Sequence, residues 1–260
     1  MDLKVLIIGA YGLLGSSLSK YLVQKGFQVY KASRSLSADY VINATNKKEL
    51  NIQISNIKPD YILNLCALTN VDYCENNPKE AFLINSEVPK NISSLTKDHN
   101  FKLIHISTDQ IYAGKGPHIE ENIHPINIYA KSKFKGESFV LDNKGMVIRT
   151  NFVGKSQTFE RVSFTDWLIK KVNSNDNFQL FNDVIFNPLH ISDLNNFIYF
   201  SCLNFRDGCF NVGSLKYISK ADFALSFLKK LNYSINNIHI CSIKESKLTA
   251  RRPLDMSMNL

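Results

Sequence analysis

Three side chains in the middle of the sequence have the types and spacing for proton chemistry on a carbonyl group: Thr108, Tyr129 and Lys133. Tyr129 and Lys133 are four residues apart, so on a helix they share one face. A phenol with a reference pKa of about 10 is a poor acid near neutrality. A nearby ammonium would favour the phenolate and lower that value. Tyr129 is therefore a candidate general acid or base, with Lys133 as the group that tunes it. Thr108 ends the apolar run 101–107, and its hydroxyl can hydrogen-bond an oxygen on which charge changes. The Tyr/Lys spacing alone decides little, because it recurs at Tyr21 and Lys25, which reads as structural.

A second constellation supplies context. Gly9-Ala10-Tyr11-Gly12-Leu13-Leu14-Gly15 directly follows the short apolar run 3–8 and opens an amphipathic stretch, 13–25. Glycine permits the tight turn and lets backbone approach a pyrophosphate. A helix N-terminus then offers free N–H groups and partial positive charge to that anion. The loop predicts a dinucleotide cofactor. NAD-binders usually end the second strand with a carboxylate for the ribose hydroxyls. Here Lys31-Ala32-Ser33-Arg34-Ser35 holds none before Asp39, while Ser33 and Arg34 suit a 2′-phosphate. The expectation is NADPH, with NADH as the alternative.

The elements that must position these residues follow from hydrophobic patterning. Strands are expected at 3–8, 27–32, 61–67, 101–107 and 146–150, and helices at 13–25, 48–57, 81–99 and 126–141. Such alternation predicts an α/β protein with a doubly wound parallel sheet, Rossmann-like, with its site at the strands' C-terminal ends. Residues 1–150 are expected to form the dinucleotide-binding domain. Polar stretches at 155–161 and 173–177 loosen the rhythm, so 151–260 reads mostly as a smaller lobe. Part of 187–212 is expected to return to the first domain.

Charge and cysteine usage narrow the class. The net charge is +8, but no basic helix or aromatic-interleaved stripe accompanies it, which argues against nucleic acid. A basic surface also suits anionic cofactors and substrates. No apolar run approaches the roughly 20 residues of a membrane helix, and the first is too short for a signal peptide. A cytoplasmic protein without membrane contact is the expectation. Cys66, Cys74, Cys202, Cys209 and Cys241 show no metal spacing and read as reduced thiols, with no metal expected.

The glycine loop combines with residues 64–72 (NLCALTNVD), 107–112 (STDQIY), 125–133 (PINIYAKSK), Gly136-Glu137, 149–152 (RTNF), Asn187-Pro188 and Arg252-Pro253. Together they resemble the extended short-chain dehydrogenases, and most of all the dTDP-4-dehydrorhamnose reductase family. The resemblance implies a substrate-binding C-terminal lobe and NADPH-dependent reduction of the C4 ketone of a nucleotide-diphosphate-linked 4-keto-6-deoxy sugar. Tyr129 would protonate the nascent alkoxide, Thr108 would bind that oxygen, and Lys133 would hold the nicotinamide ribose. The cofactor would be lined by Gly9, Tyr11, Gly12, Leu13, Leu14, Gly15, Ser33, Arg34, Asn43, Ala44, Cys66, Ala67, Leu68, Thr69 and Asn85, besides Tyr129 and Lys133. The sugar would meet Thr108, Asp109, Gln110, Phe152 and Arg252. A homodimer is a further expectation.

The sequence departs from the family at three places. Gln110 replaces a frequent tyrosine and Phe152 a frequent tryptophan; both positions would contact the sugar, so the resemblance extends to the reductase chemistry and not to the exact sugar. Family members usually continue with one more helix after the Arg252-Pro253 segment, which implies a shortened chain or a reduced substrate lobe. The related nucleotide-sugar 4,6-dehydratases carry an Asp–Glu pair after the threonine; here it is Asp109-Gln110, and an amide cannot take that proton. Two other functions remain compatible. One is a nucleotide-sugar epimerase, or a reductase of another sugar class. The other is a non-catalytic subunit resembling the beta subunit of methionine adenosyltransferase.

Overall fold

The computed structural model describes residues 3–158 and 161–260, so the polar stretch 155–161 lies partly outside the described residues. Its centre is a seven-stranded, wholly parallel sheet. In chain order the strands are β1 (Lys4–Ile8), β2 (Gln28–Ser33), β3 (Tyr40–Val41), β4 (Tyr61–Asn64), β5 (Lys102–Thr108), β6 (Met146–Thr150) and β7 (Gly208–Val212). They lie in the order 7-6-5-4-1-2-3. The order reverses between β1 and β4, the switch point at which such sheets bind ligands.

Alternation along each strand fills two cores. Val5 and Ile7 pack on one side with Leu14, Leu18 and Leu22 of α1 (Leu13–Gln24). Leu6 and Ile8 pack on the other with Leu50 and Ile54 of α2 (Lys47–Ile57). Successive side chains of a strand point to opposite faces, so continuous apolar runs belong in a sheet covered twice. The doubly wound class expected from the sequence is the one observed.

Two expected elements differ. The ladder of β4 stops at Asn64, short of residue 67, because β1 turns away at Gly9; the Leu65 N–H to Ile8 carbonyl bond is the last. The helix expected over 81–99 is a segmented series beginning at Pro78, with a wide π-turn over Leu83–Glu87. Pro89 explains this. It has no N–H for the Asn85 carbonyl four residues back, and its ring would crowd that carbonyl. Gly136 of α3 (Ile128–Asp142) packs against this widened turn, where a Cβ would collide with the Asn85 carbonyl oxygen.

A smaller cluster lies in the C-terminal part, where α4 (Phe164–Asn173) carries a Ser163–Asp166 capping box. Its Leu168 packs with Phe178 and Leu180 and with Ala224 and Leu228 of a later helix, Lys220–Lys230. Residues 191–212 instead return to the large sheet, with Ile191–Leu203 against α1 and β7 paired to β6. Among the described residues, no helix is long and apolar enough to cross a membrane.

Candidate active site

Four loops converge at the C-terminal ends of β1, β2, β4 and β5. After β1, Gly9 adopts φ +89°, and the Gly9 and Ala10 N–H groups donate to the Ala32 carbonyl at 3.0 and 3.2 Å. A Cβ on Gly9 would sit 2.9 Å from the Cys66 nitrogen, and one on Gly15 would collide with the Gly9 carbonyl. Gly12 differs: its side faces open space apart from the Gly9 carbonyl at 3.3 Å. It is the N-cap of α1 and no side chain caps the helix, so the first N–H groups stay available to an anion. Leu14 is buried in the core, while Leu13 and Tyr11 are half-buried at its edge.

At the end of β2, Arg34 is exposed and Ser33 Oγ accepts from the Ser35 N–H at 3.1 Å. Asp39, the first carboxylate after this strand, is occupied. Lys31 pairs with it at 2.8 Å and the Tyr11 hydroxyl donates to it at 2.9 Å, which together hold its carboxyl below the usual range. Asn43 receives the Thr45 hydroxyl at 2.7 Å, and the Ala44 carbonyl accepts from Asn91. Cys66, Ala67 and Leu68 are half-buried after β4, and Thr69 is exposed. Arg34 and Lys133 both act electrostatically on the Cys66 thiol, which burial pushes up.

Asn85, expected at the cofactor, is held within the protein. It is fully buried, and its amide is spent on the Leu68 N–H and carbonyl (2.8 and 3.1 Å) and on Ser132 Oγ (3.0 Å). With no free polar atom, it braces the wall against the helix bearing Tyr129.

Thr108 ends β5, and its Oγ1 accepts from the Gln110 N–H at 3.1 Å. Tyr129 lies in the first turn of α3, whose N-cap Asn127 accepts from Ala130 N–H at 2.8 Å and donates to the Arg251 carbonyl at 2.9 Å. Tyr129 is buried among Val71, Cys74, Ala81 and Ala250. Burial pushes its phenol well above the usual range, and the Thr108 hydroxyl opposes that rise by hydrogen bonding. The expected lowering by Lys133 is not seen. The Lys133 Nζ turns away to donate to the Ile106 carbonyl at 2.7 Å, and desolvation dominates the phenol. Burial also lowers Lys133 itself to about 8. The second Tyr/Lys pair lies elsewhere, with Lys25 over the rings of Tyr21 and Tyr199 on the surface of α1.

A cavity of about 270 Å³ opens at Gln110, two residues after Thr108, and is lined also by Trp167, Phe181, Lys220 and Arg252 among others; Thr108 and Tyr129 do not line it. The Gln110 Oε1 is buried without a partner. Burial pushes Asp109 up to about 6, against the Asn151 hydrogen bond at 2.8 Å and the Lys220 charge. Burial lowers Lys220, which Asp109 partly offsets. Arg252 is fixed by Asp72 at 2.8 Å. Phe152, expected at the sugar, does not line this cavity; it packs on the core face that includes Leu13 and Ile191. Trp167, Phe181 and Lys220 were not signalled by any local motif. The chain's only tryptophan was the one available pointer. Among the described residues, no cluster of His, Cys, Asp or Glu could hold a metal ion.

The switch-point glycine turn and the Thr108, Tyr129 and Lys133 grouping on β5 and α3 define an extended short-chain dehydrogenase. The family model described as the RmlD substrate binding domain matches residues 3–260. The chain belongs to that family. It is 27% identical over 233 residues to the probable low-salt glycan biosynthesis reductase Agl14 of Haloferax volcanii, covering 84% of this chain and 76% of that protein. It is 28% identical to the spore coat polysaccharide biosynthesis protein SpsK of Bacillus subtilis, covering 87% and 79%. The crystal structure of dTDP-4-dehydrorhamnose reductase from Bacillus anthracis in complex with NADP superposes with a TM-score of 0.91 at 28% identity, covering 100% of this chain and 91% of that one.

Proposed function

We propose that this chain uses NADPH to reduce the C4 ketone of a nucleotide-diphosphate-linked 4-keto-6-deoxy sugar, in polysaccharide or deoxysugar biosynthesis. The observation that carries this reading is buried Tyr129 hydrogen-bonded with Thr108, two residues before Gln110 on the wall of a cavity bearing aromatic rings and two cations. Aromatic faces suit a nucleobase, and Lys220 and Arg252 suit a diphosphate. The reductases among its relatives support the same reaction class.

The open side of Gly12 and the uncapped start of α1 fit a dinucleotide pyrophosphate. Bound NADPH supplies the hydride. Tyr129, whose raised pKa keeps it protonated across ordinary pH, gives its proton to the carbonyl oxygen as charge develops there. Thr108 hydrogen-bonds the same oxygen, and Lys133 orients the nicotinamide ribose. Ser33 and Arg34 flank the adenosine 2′-phosphate, while Asp39, already bound by Lys31 and Tyr11, does not compete for it.

Two outcomes test the cofactor assignment. Arg34→Ala should weaken NADPH at least about tenfold while leaving NADH within about twofold, read by fluorescence titration. Equal losses would remove Arg34 from the 2′-phosphate. The glycines should separate stability from binding. Gly15→Ala forces a Cβ into the Gly9 carbonyl and should cost about 1–3 kcal/mol in thermal unfolding. Gly12→Ala should leave the melting temperature nearly unchanged yet weaken NADPH, because its added methyl enters the space assigned to the pyrophosphate.

The reaction itself is tested by following loss of reduced-nicotinamide absorbance with dTDP-, UDP-, GDP- and CDP-linked 4-keto-6-deoxy sugars. Turnover with one nucleotide series supports the reading. NADPH binding with no turnover across the panel contradicts it.

A further inference from the structure

Two buried polar side chains beside Lys133 have no part in the chemistry above. His105 on β5 and Asn64 at the end of β4 are both fully buried and are direct partners across the paired strands. Asn64 Nδ2 lies 3.0 Å from His105 Nδ1, and His105 Nε2 lies 3.4 Å from Lys133 Nζ.

The direction of this chain of contacts can be worked out from its anchored end. The Cys66 N–H donates to Asn64 Oδ1 at 3.2 Å, which turns the amide NH₂ toward His105. His105 Nδ1 must then accept, so the single proton of a neutral imidazole sits on Nε2, facing Lys133. An ammonium at that place would set N–H against N–H. A neutral amine accepts the bond from Nε2–H and still donates to the Ile106 carbonyl at 2.7 Å.

The surroundings fit this direction. Burial holds His105 far below its usual range, with Lys133 adding to the effect, so the imidazole is neutral. Burial likewise lowers Lys133. Two other groups facing Lys133 act in the opposite direction. Glu137, one turn along the same helix and paired with Arg149 at 2.7 Å, favours the ammonium, as does the Cys66 thiol after β4. Tyr129, one turn earlier, is neutral while its phenol is pushed up.

We propose that His105, oriented by Asn64, is a positioning residue for Lys133: its Nε2–H stabilises the neutral amine, so Lys133 can release and regain a proton near neutral pH. The role in turnover rests on Lys133 belonging to the catalytic trio.

Asn64→Asp is the informative variant. It keeps the size of the side chain and the acceptor for the Cys66 N–H. It replaces NH₂ by an oxygen that accepts from Nδ1–H, which leaves Nε2 free to accept from an ammonium. In the wild type, histidine ¹⁵N NMR should show the Nε2–H tautomer of His105; the Nδ1–H tautomer would overturn the proposal. In Asn64→Asp, lysine ¹⁵N NMR should show the Lys133 pKa raised by about one unit or more, a roughly tenfold gain in proton affinity. The corresponding limb of the kcat–pH profile should move with it. The same substitution in a His105→Phe background should lose most of that shift. A shift of equal size there would mean that the carboxylate acts through space rather than through the imidazole, and the proposal would fail. These NMR outcomes do not depend on turnover. The expected tautomer and shift in a protein inactive toward ketosugars would count against the proposed reaction alone.

Discussion

Tyr129→Phe is expected to lower kcat for ketosugar reduction by roughly a thousandfold, the scale of a lost general acid. NADPH affinity should stay within about twofold, because the deleted atom is one hydroxyl and the ring keeps its packing. That ring sits among Val71, Cys74, Ala81 and Ala250, so phenylalanine fills the same space. Stopped-flow measurement of hydride transfer beside equilibrium NADPH titration separates the two effects. Activity within tenfold of the wild type would remove Tyr129 from the proton-transfer role and leave Thr108 or a water as the donor.

The second large effect is expected at Lys220. Its ammonium lines the cavity at Gln110 and lies 5.6 Å from the ring centres of both Phe164 and Phe186. No carboxylate pairs with it among the described residues. A diphosphate would supply that missing anion. Lys220→Met keeps the stem and removes the charge, so it should forfeit about 1.5–3 kcal/mol, roughly 10- to 150-fold, through KM more than kcat. It also removes a charge that lowers Asp109, so that carboxyl should titrate above its present value of about 6. An activity limb governed by Asp109 would then move to higher pH. An unchanged KM would place the diphosphate elsewhere.

The glycine turn and the Thr108, Tyr129 and Lys133 positions are legible in the sequence because each is local. Gly9 to Gly15 lie on one turn, Tyr129 and Lys133 on one helix, and Thr108 at one strand end, so spacing and periodicity suffice. The cavity proposed for the substrate is assembled from distant pieces. Gln110 and Arg252 are named through the family resemblance, but Trp167, Phe181 and Lys220 reach Gln110 only through the packing of the C-terminal cluster, which no local pattern encodes. Asn85 shows a different failure. It was expected at the cofactor, and in the fold its amide is bound to Leu68 and Ser132, a partnership set by burial. Pro89 was visible in the sequence and its consequence, the π-turn beside Gly136, follows from the lost N–H. The direction of the Tyr129 shift depended on how completely the phenol is buried, and burial is a tertiary property.

The most direct test of the central claim is isotopic. The enzyme would be supplied with NADPH deuterated at the transferring position, a 4-keto-6-deoxy sugar on the nucleotide that supports turnover, and the product analysed by NMR. The account predicts a single deuterium at C4 of the sugar, in one configuration, with none at C3 or C5. Product without deuterium, or deuterium at another carbon, would contradict reduction of the C4 ketone at this site.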